Sequence, residues 1–213
     1  MKLFKNIKKW LENQEHLFYL FLLILIVPNI ILCFTEPMPV VAKVCNVLLP
    51  FAFYYLLMTL SRNCGKMFWI LFLFIFFGAF QIVLLYLFGQ SIIAVDMFLN
   101  LVTTNSSEAM ELLDNLVPAL VSVIILYIPA LILAVISIIK KRKLSPEFIR
   151  RERKKAWIAL LIGFISLGAA YGLDKRYELK SDLYPANVCY NVALAFQRNA
   201  QTRTYHRTSE NFT

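Results

Sequence analysis

Apolar residues in this chain come in long runs, about 17–35, 41–60, 67–88, 116–139 and 156–172, separated by short polar stretches. A helix rises 1.5 Å per residue, so about 20 residues cross a hydrocarbon layer ~30 Å thick, and each run reads as one span. The pattern predicts an all-α integral membrane protein with five transmembrane helices. Ahead of the first span, Leu3, Phe4, Ile7, Trp10 and Leu11 fall at helical spacing with lysines opposite, which predicts a short helix lying in a membrane interface.

Polar and helix-bending residues interrupt the runs at few places. Pro28, Asn29, Lys43, Asn46 and Pro50 occupy the outer halves of spans one and two, and lipid alone would not satisfy them, so they are expected to face protein or the interface. Lys43 reads as a lysine snorkelling from a helix end, with a lipid phosphate as its alternative partner. Span three is expected to be scaffold, with Gly78-Ala79 as a close-packing point and Gln81 as its strongly polar residue. Ser145-Pro146-Glu147 predicts a capped helix start, and one helix is expected to run from there to about Tyr171. Along it, Ala159 and Gly163, then Gly168 and Gly172, repeat a four-residue spacing of small side chains that predicts close helix contact.

Composition supports the same class, because 60% hydrophobic and 16% charged residues are incompatible with a soluble domain of 213 residues. The charges that remain set an orientation. Lys2, Lys5, Lys8 and Lys9 precede span one, Arg62 and Lys66 lie between spans two and three, and a basic cluster from Lys140 to Lys155 lies between spans four and five. The loops 35–40 and 89–115 carry no Lys or Arg, so the positive-inside rule predicts an amino terminus inside and the tail from Leu173 outside. The net charge of +9 is then inner-leaflet anchoring, and nucleic-acid binding is a poor account of basic residues that flank spans. The first apolar run is too long for a cleaved signal and reads as a retained signal-anchor. Cys33, Cys45, Cys64 and Cys189 lack metal-ligand spacing and read as small apolar residues, although Cys33 and Cys45 are near enough in topology to bridge in an oxidising compartment.

The stretch most suited to chemistry is 100–108. If helical, each step of four residues turns ~400°, so Asn100, Thr104 and Glu108 form one polar stripe about 12 Å long. It sits in the loop 89–115, where apolar and polar residues mix without making a span, the pattern of a helix or helix pair along the outer surface. An amide, a hydroxyl and a carboxylate on one face suit a zwitterionic headgroup: Glu108 for its ammonium, Asn100 and Thr104 for its phosphate or glycerol oxygens. Glu108 has a second reading as an acidic residue in the first turn of a helix capped by Ser106 or Ser107, and the two readings stay open. His16 and His206 fall on opposite sides of the membrane in this topology, so neither a zinc site nor a Ser-His-Asp arrangement can be assembled from them. The segment 173–213 is polar, with a helix expected through Val188, Val192 and Phe196 after Tyr184-Pro185, and it reads as a linker leading to a soluble domain.

Five spans, this orientation, a long outward loop after span three and the Asn-x3-Thr-x3-Glu pattern of Asn100, Thr104 and Glu108 together resemble the membrane domain of bacterial phosphoethanolamine transferases. That family includes the lipid A-modifying enzymes of polymyxin resistance. The resemblance covers nearly the whole chain, and the three-residue pattern is its most specific part. It implies phosphatidylethanolamine as donor, lipid A or a related outer-surface glycolipid as acceptor, and transfer through a phosphothreonine-type intermediate. In the family the nucleophilic threonine and its zinc ligands belong to a periplasmic, sulfatase-like domain of the alkaline phosphatase superfamily, so no catalytic residue and no metal ligand is carried over to this chain. The resemblance thus implies a transmembrane domain over 1–172 in the bacterial inner membrane and a helical periplasmic linker over 173–213, working with its own catalytic domain in cis. The competing expectation, from the spans alone, is a non-enzymatic multi-span scaffold or lipid-binding subunit.

Overall fold

The computed structural model describes residues 2–88 and 106–210, and every regular element among them is helical. In chain order these are α1 (Lys2–Glu12), α2 (Gln14–Thr35), α3 (Val40–Met58), α4 (Cys64–Ile70), α5 (Phe72–Phe88), α6 (Ser106–Ile139), α7 (Pro146–Leu173), α8 (Leu179–Asp182) and α9 (Ala186–Glu210). Among the described residues four stretches, Gln14–Thr35, Val40–Met58, Val117–Ile139 and Pro146–Leu173, are long and apolar enough to cross a membrane. This is the architecture of a multi-pass membrane protein.

The run expected as a third span, 67–88, departs from that pattern. It is divided between α4 and α5, which meet at Leu71; the Leu71 amide still donates to Met67 O at 3.0 Å and the Ile75 amide to Leu71 O at 3.2 Å. The span expected at 116–139 is the later part of a longer helix, because α6 continues from Ser106 with Pro118 and Pro129 inside it. Ser106 and Ser107 are thus its first two residues.

Side-chain register shows how the helices run. Phe21 of α2 stacks on Phe68 of α4 at 4.5 Å, and further along Pro28 approaches Gly78 of α5, so α2 runs beside α4 and α5 in the same direction. Gly65 lies against Ala134 and Gly78 against Tyr127, which makes α6 antiparallel to them. On the other side, Tyr55 meets Glu152 and Leu49 meets Gly163, so α3 and α7 are antiparallel as well. One end of the bundle thereby collects the basic loops. The other collects Asn29, Asn46 and the chain after Leu173.

The small residues divide between two fates. Gly163 is pressed on Leu49, where an added Cβ would stand 3.1 Å from the Leu49 Cα, and Gly78 is hemmed in by the Tyr127 hydroxyl and Pro28. These two are the close contacts expected of them. Gly168 and Gly172 are not: a Cβ at either would meet nothing within 4 Å. Their spacing repeats that of Ala159 and Gly163, but among the described residues α7 has no neighbour on that face at its far end. Of these described glycines the most tightly placed is Gly65, where a Cβ would strike the Ala134 backbone.

Ser145 starts α7 as its sequence predicts, its hydroxyl accepting from the Phe148 amide at 3.1 Å with Pro146 in the first turn. The basic end is interlocked around it. The Leu144 amide donates to Arg62 O at 2.7 Å, Arg62 Nε returns a bond to Leu144 O at 2.9 Å, and Arg153 Nη2 donates to Thr59 O at 2.6 Å. Glu152, wholly buried in this basic run, accepts from the Tyr55 hydroxyl, from Arg151 Nε at 2.9 Å and from Lys155 Nζ at 3.1 Å. A buried carboxylate is tolerated when it is paired and hydrogen-bonded, and here it ties α7 to α3.

Helix α6 ends in a paired hydrogen-bond closure, with the Arg142 amide donating to Ser137 O at 3.1 Å and the Lys141 amide to Ile138 O at 3.0 Å. Lys141 takes the left-handed conformation this requires, at φ 50. A side chain is strained there and glycine is not, so Lys141→Gly is expected to stabilise the protein by about 0.5 kcal/mol, net of the lost cation at the helix terminus. Thermal unfolding of the purified protein in one detergent measures it, and a lowered midpoint would contradict the assignment.

Candidate functional site

The chain after α7 turns back onto the bundle end remote from the basic loops, and two asparagines inside apolar helices hold it there. Asn46 of α3 donates from Nδ2 to Asp182 O at 2.8 Å and accepts at Oδ1 from the Tyr177 hydroxyl at 2.9 Å. Asn29 of α2 donates from Nδ2 to Asn46 O at 3.0 Å and to Tyr184 O at 2.8 Å, while its Oδ1 has no partner among the described residues. Both asparagines are buried, as is Pro28 beside them, so these polar residues face protein as expected.

Apolar packing completes the dock. Tyr177 and Leu183 join Ala42, Cys45 and Ala170 in one buried cluster, and Tyr184 and Val188 join Leu32 in another. The Tyr184 hydroxyl reaches Phe74 O at 3.0 Å. Burial pushes the Tyr177 phenol up, with the neighbouring Cys45 thiol adding to it, and burial does the same at Tyr184. Both hydroxyls therefore stay protonated and donate. The segment expected as a linker is, up to Val188, part of the fold. The four cysteines are free; Cys33, one of the two considered for a bridge, donates its thiol proton to Lys43 O at 3.3 Å.

Where the returning chain crosses the turn between α2 and α3, a cleft of about 430 Å³ opens. Pro37, Met38 and Pro39 form one side, and Asp174, Arg176 and Asp182 supply charges of both signs on the other. The Asp174 carboxylate accepts from the Arg176 amide at 3.0 Å and the Asp182 carboxylate from the Glu178 amide at 2.7 Å, which fixes both acids by the backbone. Among the described residues no three His, Cys, Asp or Glu side chains converge, so they offer no ligand set for the zinc ion that the resemblance assigns to a separate domain.

The predicted stripe divides at the edge of what is described. Asn100 and Thr104 lie outside the described residues, as does the expected surface helix over 89–105. Glu108 lies in α6, nine residues before Val117, which is about 14 Å of helix ahead of the apolar stretch; its side-chain contacts are outside the described residues. Asp174, Arg176 and Asp182 were not singled out by sequence. Their signal is slight, a short polar run directly after an apolar helix.

No family model, curated protein or solved structure matches this chain. Its functional assignment rests on the residues and the fold alone.

Proposed function

We propose that this chain is the membrane domain and linker of a bacterial phosphoethanolamine transferase. It resides in the inner membrane with five spans, amino terminus inside and the 173–213 linker in the periplasm. Its task is to bind phosphatidylethanolamine and present the headgroup for transfer to lipid A or a related outer-surface glycolipid.

The observation that carries the reading is the spacing of Asn100, Thr104 and Glu108 in a segment without Lys or Arg that leads into the first turn of α6. In this role the Glu108 carboxylate pairs with the ammonium of the donor, and the Asn100 amide and Thr104 hydroxyl donate to phosphate or glycerol oxygens. The chain supplies grip and position. Nucleophilic chemistry, and the zinc that supports it in the family, belong to a separate domain. The docked segment 174–188 supports the reading too, because a linker fixed to the bundle restricts where a following domain can sit.

Mass spectrometry of outer-surface glycolipids from the host, with and without the gene, tests the proposal. Species carrying a phosphoethanolamine group are expected only when the gene is present. An identical glycolipid profile in both strains, with the protein present in the membrane of one, overturns it.

A further inference from the structure

At the basic end, α1 and the last turns of α6 leave a groove of about 360 Å³ between them. Ile7, Leu11, Leu133 and Ile136 make its apolar floor, and Lys8, Lys140 and Arg142 stand along its rim with Glu12 as the opposing acid. Arg142 Nη1 donates to Glu12 O at 3.2 Å and so braces the two helix ends across the gap. Lys8 and Lys140 make no ion pair among the described residues. The contrast with Arg151 and Lys155 is instructive, since those two spend their charge on buried Glu152.

The groove is therefore amphipathic in a particular sense: a strip of aliphatic surface that ends under three cations and one carboxylate. Ile7 and Trp10 are 48% and 45% exposed, which suits α1 to the interfacial layer where headgroup and acyl chain meet. A soluble anion would use the rim and leave the floor wet. A zwitterionic lipid would cover the floor, but its ammonium would find one carboxylate, Glu12, among three cations and would leave the rim net positive. Only a lipid with a net-negative headgroup matches both parts.

We propose that this groove holds one anionic phospholipid of the leaflet that the basic end faces. An acyl chain lies along Ile7, Leu11, Leu133 and Ile136, and the phosphate sits between Lys8, Lys140 and Arg142. The lipid fills the space between α1 and α6 and fastens the amphipathic helix to the bundle. This site lies at the end of α6 remote from Glu108 and does not depend on the transferase reading.

Native mass spectrometry of the purified protein, titrated with phosphatidylglycerol or phosphatidylcholine in detergent, tests it. The wild type is expected to hold one phosphatidylglycerol with at least about 10-fold preference over phosphatidylcholine. Lys8→Gln combined with Lys140→Gln should abolish that preference, and Ile136→Trp, which fills the floor and keeps every charge, should weaken phosphatidylglycerol binding about 10-fold. Arg150→Gln combined with Lys154→Gln removes the same charge from exposed positions outside the groove and should leave binding unchanged. Equal binding of the two lipids, equal loss in the Arg150/Lys154 control, undiminished binding in Ile136→Trp, or a dimer mass in place of a lipid adduct would each overturn the proposal.

Discussion

Glu108→Ala is expected to lower phosphoethanolamine transfer by about 30- to 1,000-fold while leaving the protein in the membrane at its normal level. The range follows from the interaction it removes: a carboxylate paired with an ammonium in a partly shaded site is worth about 2–4 kcal/mol more than at open surface. Insertion should not change, because Glu108 lies ahead of the apolar part of α6 and contributes nothing to its hydrophobicity. Glu108→Gln separates the two roles open to this residue. A carboxylate that only complements the amino-terminal end of a helix dipole is worth about 0.3–1 kcal/mol, so transfer would fall by less than about fivefold. One that pairs with the donor ammonium loses its charge in the glutamine variant, and transfer falls nearly as far as in alanine. The readout is the modified fraction of host glycolipid at matched protein abundance. Wild-type modification in Glu108→Ala would sink the substrate role.

Asn46→Leu is expected to destabilise the protein by about 3 kcal/mol and to loosen the segment after α7. Leucine fills nearly the same volume, so the effect isolates the polar part. It removes the partner of the half-buried Asp182 carbonyl and leaves the Tyr177 hydroxyl only the Cys45 sulfur at 3.7 Å, a weak acceptor, and an unpaired buried polar group costs about 1–3 kcal/mol. Asn46 is the informative choice of the two asparagines because both ends of its amide are engaged, whereas Asn29 already has an unpartnered oxygen. The midpoint of thermal unfolding should fall, and limited proteolysis within 174–185 should speed up before the helices are cut. An Asn46→Leu protein as stable and as protease-resistant as the wild type would show that apolar burial of Tyr177, Leu183 and Tyr184 holds the dock by itself.

Legibility in the sequence differed from feature to feature. Ser145 could be read because a cap acts over three residues, within a window where spacing alone decides geometry. Asn29 and Asn46 could be read as facing protein, since lipid cannot satisfy an amide. Their partners could not, because the Asp182 carbonyl is 136 residues from Asn46 and any backbone group would have served the amide equally well. Glu152 was hidden by its neighbours: a single acid among Arg and Lys reads as surface charge until Tyr55, 97 residues away, is packed over it. The glycines carry the same lesson. Gly163 and Gly168 have similar surroundings in sequence, yet one is pressed on Leu49 and the other meets open space.

What the sequence by itself determined was the class and its coarse plan: apolar helices long enough to cross a membrane, basic loops gathered at one end, and an amphipathic helix before them. Those properties follow from helix rise, side-chain periodicity and transfer free energy, which act along the chain without reference to a fold. Tertiary structure alone decided that the presumed linker folds back on two buried asparagines, that Gly65 is pressed on the Ala134 backbone, and that α1 and α6 stand apart with cations over an aliphatic floor. Each of these depends on which residues distant in sequence come to share a surface, and in an apolar chain many pairings of helices satisfy the same periodicity.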